Sequence, residues 1–238
     1  MAVKKQGRRS AETSEETKRQ ILCVAGDLFS EFGYERVSLR NISEQAGVSH
    51  SLLRHHFGSK EDIWYAVSDA LHSFLIQYIH RLAVDISGDK PAYIKFYHFS
   101  VRLLALLLVE PKPIQFIADT VRQEGKFSDY FLDKRGDEEP ILLDWVESYN
   151  AETPENLVDL WEVKWLLINS AHAAASLKPL LNIIWEKQTS DPQQALYKHW
   201  ELFNKQMVIV HNIPEQEVLS PSALKDLLLP YKCEMKLC

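Results

Sequence analysis

Apolar residues recur at spacings of three and four along nearly the whole chain, with polar residues between them, which predicts an all-helical protein. A capping box, Thr13 with Glu16, opens a first helix whose apolar stripe is Ile21, Ala25, Leu28 or Phe29, and Phe32. Gly33 closes it. Ser38 caps a short second helix with Leu39, Ile42 and Ala46 on one side; Gly47 breaks it, and Ser49 caps a third helix running to about Phe57. Ser59 with Asp62 forms another capping box, opening a long fourth helix striped by Ile63, Val67, Leu71, Phe74, Tyr78 and Leu82.

"ISGDKP" ends that helix, and Pro91 starts a fifth that stops at "EPKP". Shorter helices are expected within 113–123 and 139–150, separated by the polar loop "DKRGDEEP". Pro154 then opens a long helix to about Lys187, Pro192 another to about Val210, and "SPSALKDLLL" one more short helical turn. No internal repeat or low-complexity segment interrupts the pattern.

Charge divides the chain more sharply than hydropathy does. Overall the net charge is −6, yet residues 1–60 carry 10 Lys/Arg against 7 Asp/Glu, and residues 61–238 carry 17 against 26. A basic head facing an anion and an acidic body follow from that asymmetry. The division expected is a flexible basic arm over 1–12, a head over 13–60, and a larger helical domain over 61–238. Apolar runs such as "LLALLLV" (Leu103–Val109) fall short of the roughly 20 residues of a membrane span and read as buried helix. The polar N-terminal stretch lacks the apolar core of a signal peptide, and Cys23, Cys233 and Cys238 fit neither a disulfide framework nor a zinc site. A cytoplasmic protein with no cofactor and no membrane partner is expected.

The stretch "GVSHSLLRHHFGSKEDIW" holds three histidines within seven residues. At about 100° per residue, His50 and His55 lie roughly 140° apart and His56 lies roughly 240° round from His50. Ligands on one helix need spacings of three or four, so these histidines cannot converge on one metal ion. A different reading fits. Two short helices joined by "AGVS" match a helix-turn-helix, with glycine at the turn and serine capping the second helix. That helix offers Ser49, His50, Ser51, Arg54 and His55 outward and is expected to bury Leu52, Leu53 and Phe57. Hydroxyl, imidazole and guanidinium groups suit phosphates and base edges, and arginine can grip guanine bidentately. Lys60, inside the start of the fourth helix, Ser38 and Arg40, opening the second, are placed for backbone phosphates. Lys4, Lys5, Arg8 and Arg9 could enter a minor groove.

From about Ser14 to Val67 the chain resembles the DNA-binding domain of the TetR family of transcriptional regulators. The resemblance rests on Phe32, Gly33 and Tyr34, on "VSLRNISEQAGVS", and on "LLRHHFGSKEDI" with its Phe57-to-Lys60 interval. It implies DNA contacts at Ser38, Ser49, His50, Ser51, Arg54, His55 and Lys60. Arg54 departs from the family, whose members usually carry tyrosine there, which alters the base preference to be expected. The resemblance also implies a helical C-terminal domain that dimerises and often encloses an effector pocket, with repression the commoner mode and the fourth helix transmitting the signal.

The residues offer separate grounds for a homodimer. Leu157, Trp161, Trp165, Ile168, His172 and Ala175 stripe one long helix, and Leu196, Trp200, Phe203, Met207 and Val210 the next. Two such helices from each of two chains would make a four-helix interface; equally, the stripes could be intramolecular core. A two-fold dimer predicts a palindromic double-stranded operator with half-sites about one turn, roughly 34 Å, apart. For an apolar or aromatic small-molecule effector, Phe96, Tyr97, Phe99, Phe116 and Trp145 are the candidate pocket residues, against the plainer reading of core aromatics. Nothing resembles a glycine-rich phosphate loop, a nucleophile elbow or a metal-spaced His/Glu pair, so no enzyme is expected. A nucleoid-organising protein and a helical ligand-binding protein with a vestigial head are the alternatives.

Overall fold

The computed structural model describes residues 5–122, 125–133 and 139–230, with side chains from Thr13 onward except those of 131–133 and 139–141. Among the described residues the regular structure is eleven α-helices and two 3-10 turns, without a strand. They fall into two compact units, one ending at Leu75 and one spanning Ile76–Pro230. The division lies inside the fourth helix rather than at its start.

In the first unit, α1 (Lys5–Phe32), α2 (Leu39–Gln45), α3 (His50–Phe57) and the first part of α4 (Lys60–Ile86) enclose a small core. Ile21, Ala25 and Phe29 from α1, Ile42 from α2 and Ala46 at its C-terminal cap, Leu53 from α3, and Ile63, Trp64 and Val67 from α4 are each at most 1 % exposed. The three- and four-residue spacings predicted these inward faces. Two details differ. Helix α1 begins at Lys5, ahead of the Thr13–Glu16 box, and the Thr13 carbonyl accepts from the Thr17 hydroxyl inside the helix. Phe32, expected in the apolar stripe, is 47 % exposed because the helix ends there, beyond the reach of the core.

The second unit holds the rest of α4, α5 (Ala92–Val109), α6 (Lys112–Arg122), α7 (Lys126–Asp133), α8 (Glu139–Glu152), α9 (Leu160–Ser176), α10 (Lys178–Trp185) and α11 (Pro192–Val210). Helix α5 is its centre. Its 18 residues have the length and mean hydropathy (1.4) of a membrane span, closer to one than the sequence reading allowed, and 72 % of it is buried inside the protein. Pro91 gives it no side-chain cap, and the carboxylate of Glu152 on α8 takes over by accepting from the Ala92 amide at 2.6 Å. Trp200 of α11 donates its indole N–H to the Val101 carbonyl of α5, and His199 Nε2 lies 2.8 Å from the Ser170 carbonyl of α9.

Helix α7 was not foreseen, and the long helix expected from Pro154 to Lys187 is two. It starts late, at the Asp159 cap, whose carboxylate accepts from the amides of Trp161 and Glu162. It breaks at Leu177 because Pro179 has no N–H to give the carbonyl four residues back and its ring would collide with it.

After α11 the chain returns along α4 and α5 as an irregular strap, residues 213–230, held largely by side chains. Tyr97 Oη accepts from the Leu219 amide and donates to Asn204 Oδ1, while Asn204 Nδ2 donates to the Leu219 carbonyl. Arg102 Nε donates to the Leu227 carbonyl and Tyr78 Oη accepts from the Leu229 amide. Leu224 and Leu227, in a 3-10 turn at Leu224–Leu227, are buried.

Candidate nucleic-acid interface

The site begins with two serines. Ser38, in extended conformation, accepts from the Asn41 amide while Asn41 Oδ1 accepts from the Ser38 amide, so both orphan groups at the start of α2 are satisfied. Gly47 then turns the chain at φ +64°, a conformation that a side chain disfavours. Gln20 of α1 donates to the Ala46 carbonyl and so ties the turn to the first helix. Ser49 caps α3 by accepting from the Leu52 amide at 3.1 Å. With Leu53 fully buried, these contacts fix the rotation of α3 about its axis.

That rotation leaves Ser49, His50, Ser51, Arg54 and His55 exposed. The hydroxyls of Ser49 and Ser51 are 3.0 Å apart. Arg54 meets no carboxylate among the described residues, so its guanidinium is available to an external anion or acceptor. Arg40 differs: it is paired with Glu44 at 2.7 Å, and that hydrogen bond and charge raise its pKa. The ammonium of Lys60, expected to face a phosphate, donates instead to the Tyr34 carbonyl at 3.0 Å and sits 3.9 Å from the centre of the Tyr34 ring. It braces the turn between α1 and α2. His56 packs beside Phe57, which is half-buried. Leu52, expected inside, is 38 % exposed. Three apolar positions, Leu52, Leu53 and Phe57, cannot all face one small core from a two-turn helix, and Leu53 occupies it. Lys4 lies outside the described residues, as do the side chains of Lys5, Arg8 and Arg9.

No group of three or more metal-ligating side chains occurs among the described residues. A capped helix with a polar, cationic outward face, set by a glycine turn against a second short helix, has the geometry of a helix-turn-helix. Residues 21–67 match the model of the bacterial regulatory proteins, tetR family. The chain is 34 % identical over 126 residues to the HTH-type transcriptional regulator RutR of Escherichia coli, a match covering 46 % of this chain and 58 % of that protein. It is 37 % identical over 65 residues to the HTH-type transcriptional regulator TtgR of Pseudomonas putida, covering 27 % of this chain and 31 % of that protein. The chain thus spans less than two thirds of these relatives.

Solved structures resemble the fold over most of the chain. The transcriptional regulator FadR of Bacillus subtilis, in complex with stearoyl-CoA, has a TM-score of 0.51 at 17 % identity, covering 82 % of this chain and 98 % of that one. The ketosteroid transcriptional regulator KstR2 of Mycobacterium tuberculosis has a TM-score of 0.54 at 16 % identity, covering 82 % and 93 %.

The residues expected in the body separate by burial. Phe96, Tyr97, Phe99 and Phe116 are at most 4 % exposed, and Trp145 is half-buried with its ring edge-on to Phe99 at 5.4 Å. Tyr97, a candidate pocket residue, spends its hydroxyl on Asn204 and Leu219, and the neighbouring His98 Nε2 lies 3.0 Å from the Glu217 carbonyl. On α9, Trp161 and Trp165 are 53 % and 67 % exposed, and His172 is half-buried beside Ser176. On α11 the expectation is corrected: Trp200, Phe203 and Met207 are at most 3 % exposed, packed inside their own chain. That helix offers Leu202, Ile209 and Val210 instead. Its amphipathic pattern carries two stripes, and the stripe with the larger aromatic groups packs inward.

Proposed function

We propose that the protein is a sequence-specific transcriptional regulator, a repressor, that binds a palindromic operator as a homodimer in the cytoplasm. The observation that carries this reading is the outward face of α3, where Arg54 stands without an acidic partner between His50 and His55 on a TetR-family head. Arg54 reads a base edge, Ser49, Ser51 and the two histidines supply further groove and phosphate contacts, and Ser38 and Arg40 face the backbone.

A homodimer is favoured by the distribution of exposed apolar groups. Among the described residues, twelve of the seventeen exposed large hydrophobic side chains fall between Leu157 and Val210, more than a lone soluble surface carries in one region. Trp161, Trp165 and Ile168 on α9 repeat at spacings of four and three, as does a packing stripe. The effector is a small apolar or aromatic molecule bound in the helical body; the FadR structure contains stearoyl-CoA. Its binding shifts α4 and with it the heads.

Selection of bound duplexes from random DNA, with wild type and Arg54→Ala in parallel, tests the reading. Wild type should enrich a palindrome with half-sites about ten base pairs apart, and Arg54→Ala should lose the preference at one base at a cost of about 1–3 kcal/mol. Salt-sensitive binding without enrichment would sink it.

A further inference from the structure

Described residues of the head expose two large hydrophobic side chains, Phe32 at the end of α1 and Leu52 on α3. Leu52 is the one that shares a helix with the DNA-facing residues. At about 100° per residue, Ser51 and His55 form the centre of the outward face, roughly 40° apart. Arg54 lies about 60° beyond Ser51 on one side, and Leu52 about 60° beyond His55 on the other. Leu52 and Arg54 therefore flank the same face, one apolar and one cationic.

Leu52 is not required there by the core. The adjacent Leu53, 0 % exposed, supplies the packing of α3, and the cap is made by Ser49 to the backbone amide of residue 52, which any side chain would leave in place. Meanwhile the major groove presents hydrogen-bonding groups and a single kind of apolar feature, the C5 methyl of thymine. An isobutyl group on the reading face thus has one class of base-edge target.

We propose that Leu52 is a specificity-determining residue that packs against a thymine methyl in each half-site. The inference rests on the DNA-reading role of α3 proposed above. It assigns discrimination to the flank of the helix opposite Arg54, so the two residues address different base pairs.

The test uses the operator enriched by the wild-type protein. Each thymine of a half-site is replaced in turn by deoxyuridine, which removes the methyl and keeps the hydrogen-bonding groups. Wild type and Leu52→Ala are titrated on each duplex, with thermal melting to follow their folding. Wild type should bind about fourfold more weakly at one position, the loss of one buried methyl, while Leu52→Ala binds thymine and deoxyuridine duplexes alike there. If no replacement weakens wild type, or one weakens both proteins equally, Leu52 does not read a methyl. If wild type enriches no operator, the DNA-reading proposal fails and takes this one with it; enrichment without a methyl effect overturns this one alone.

Discussion

The phenol oxygen of Tyr149 lies 2.7 Å from Nδ1 of His211, both side chains being buried in the helical body. Asn156 Nδ2 donates to that phenol oxygen. Phe96 closes the pocket edge-on, 5.5 Å from the imidazole centre. Burial lowers the His211 pKa from 6.5 to about 4. The folded protein therefore holds His211 neutral where the unfolded chain would protonate it. Stability from this group is complete above pH 6.5 and falls as the pH drops towards 4, by about 3 kcal/mol in all. Chemical denaturation at pH 7 and pH 4.5 should show a loss in wild type that is smaller in His211→Gln, which has no proton to gain.

The cap of α3 is a separate point of weakness. Ser49→Ala removes the acceptor for the Leu52 amide and should cost about 1 kcal/mol, read as a lower melting temperature of the head. Ser49→Asp should restore most of that stability, yet bind DNA more weakly than wild type because it adds a negative charge beside the phosphates. Equal losses of stability and binding in both variants would contradict the division of roles.

On α9 and α11 two kinds of tryptophan predict two kinds of outcome. Trp161→Glu and Trp165→Glu change exposed positions and should convert a dimer into a monomer by sedimentation, with melting that no longer depends on protein concentration. Trp200→Glu instead puts a charge into a site 1 % exposed and leaves the Val101 carbonyl without its indole donor, so the body should fail to fold at any concentration.

Tyr97→Phe keeps the ring and removes one hydroxyl that serves Asn204 and Leu219 together. A buried acceptor on Asn204 and the part-buried Leu219 amide lose a partner, at a cost of about 2 kcal/mol. Hydrogen exchange should show the Leu219 amide among the most strongly accelerated, while amides of α2 and α3 keep their protection.

Much of this fold was legible because local signals and packing agree. Ser38, Ser49 and the Ser59–Asp62 box start helices where they stand, with the Asp62 amide donating to the Ser59 hydroxyl at 3.0 Å. Pro192 likewise opens α11 behind an Asp191 cap. The break at Leu177 had its signal in Pro179, overridden in the sequence reading by the apolar periodicity on either side. What sequence could not settle was which of two apolar stripes on one helix turns inward. Trp200, Phe203 and Met207 look as suited to a partner as Leu202 and Ile209 do, and the choice depends on whether α5 has room for an indole beside Val101. The same holds for Leu52 and Leu53, adjacent leucines of which one small core accepts one. The strap was illegible for another reason: several of its main-chain groups bond to side chains far away in sequence, 119 residues in the pair His98–Glu217 and 151 in Tyr78–Leu229, and no local pattern announces such bonds.

That strap bears on how the body comes to exist during synthesis. Helix α5 emerges from the ribosome long before residues 213–230, and until they follow, Tyr97, Arg102 and Tyr78 have no carbonyl or amide of the strap to bind. The described core residues of the head run from Ile21 to Leu71, so its packing contacts are short in sequence and can form early. A nascent chain therefore carries a largely packed head ahead of a body that still lacks its strap. Until the strap arrives, the apolar side chains of α5 that it covers stay open to solvent, the kind of surface on which partly folded chains aggregate.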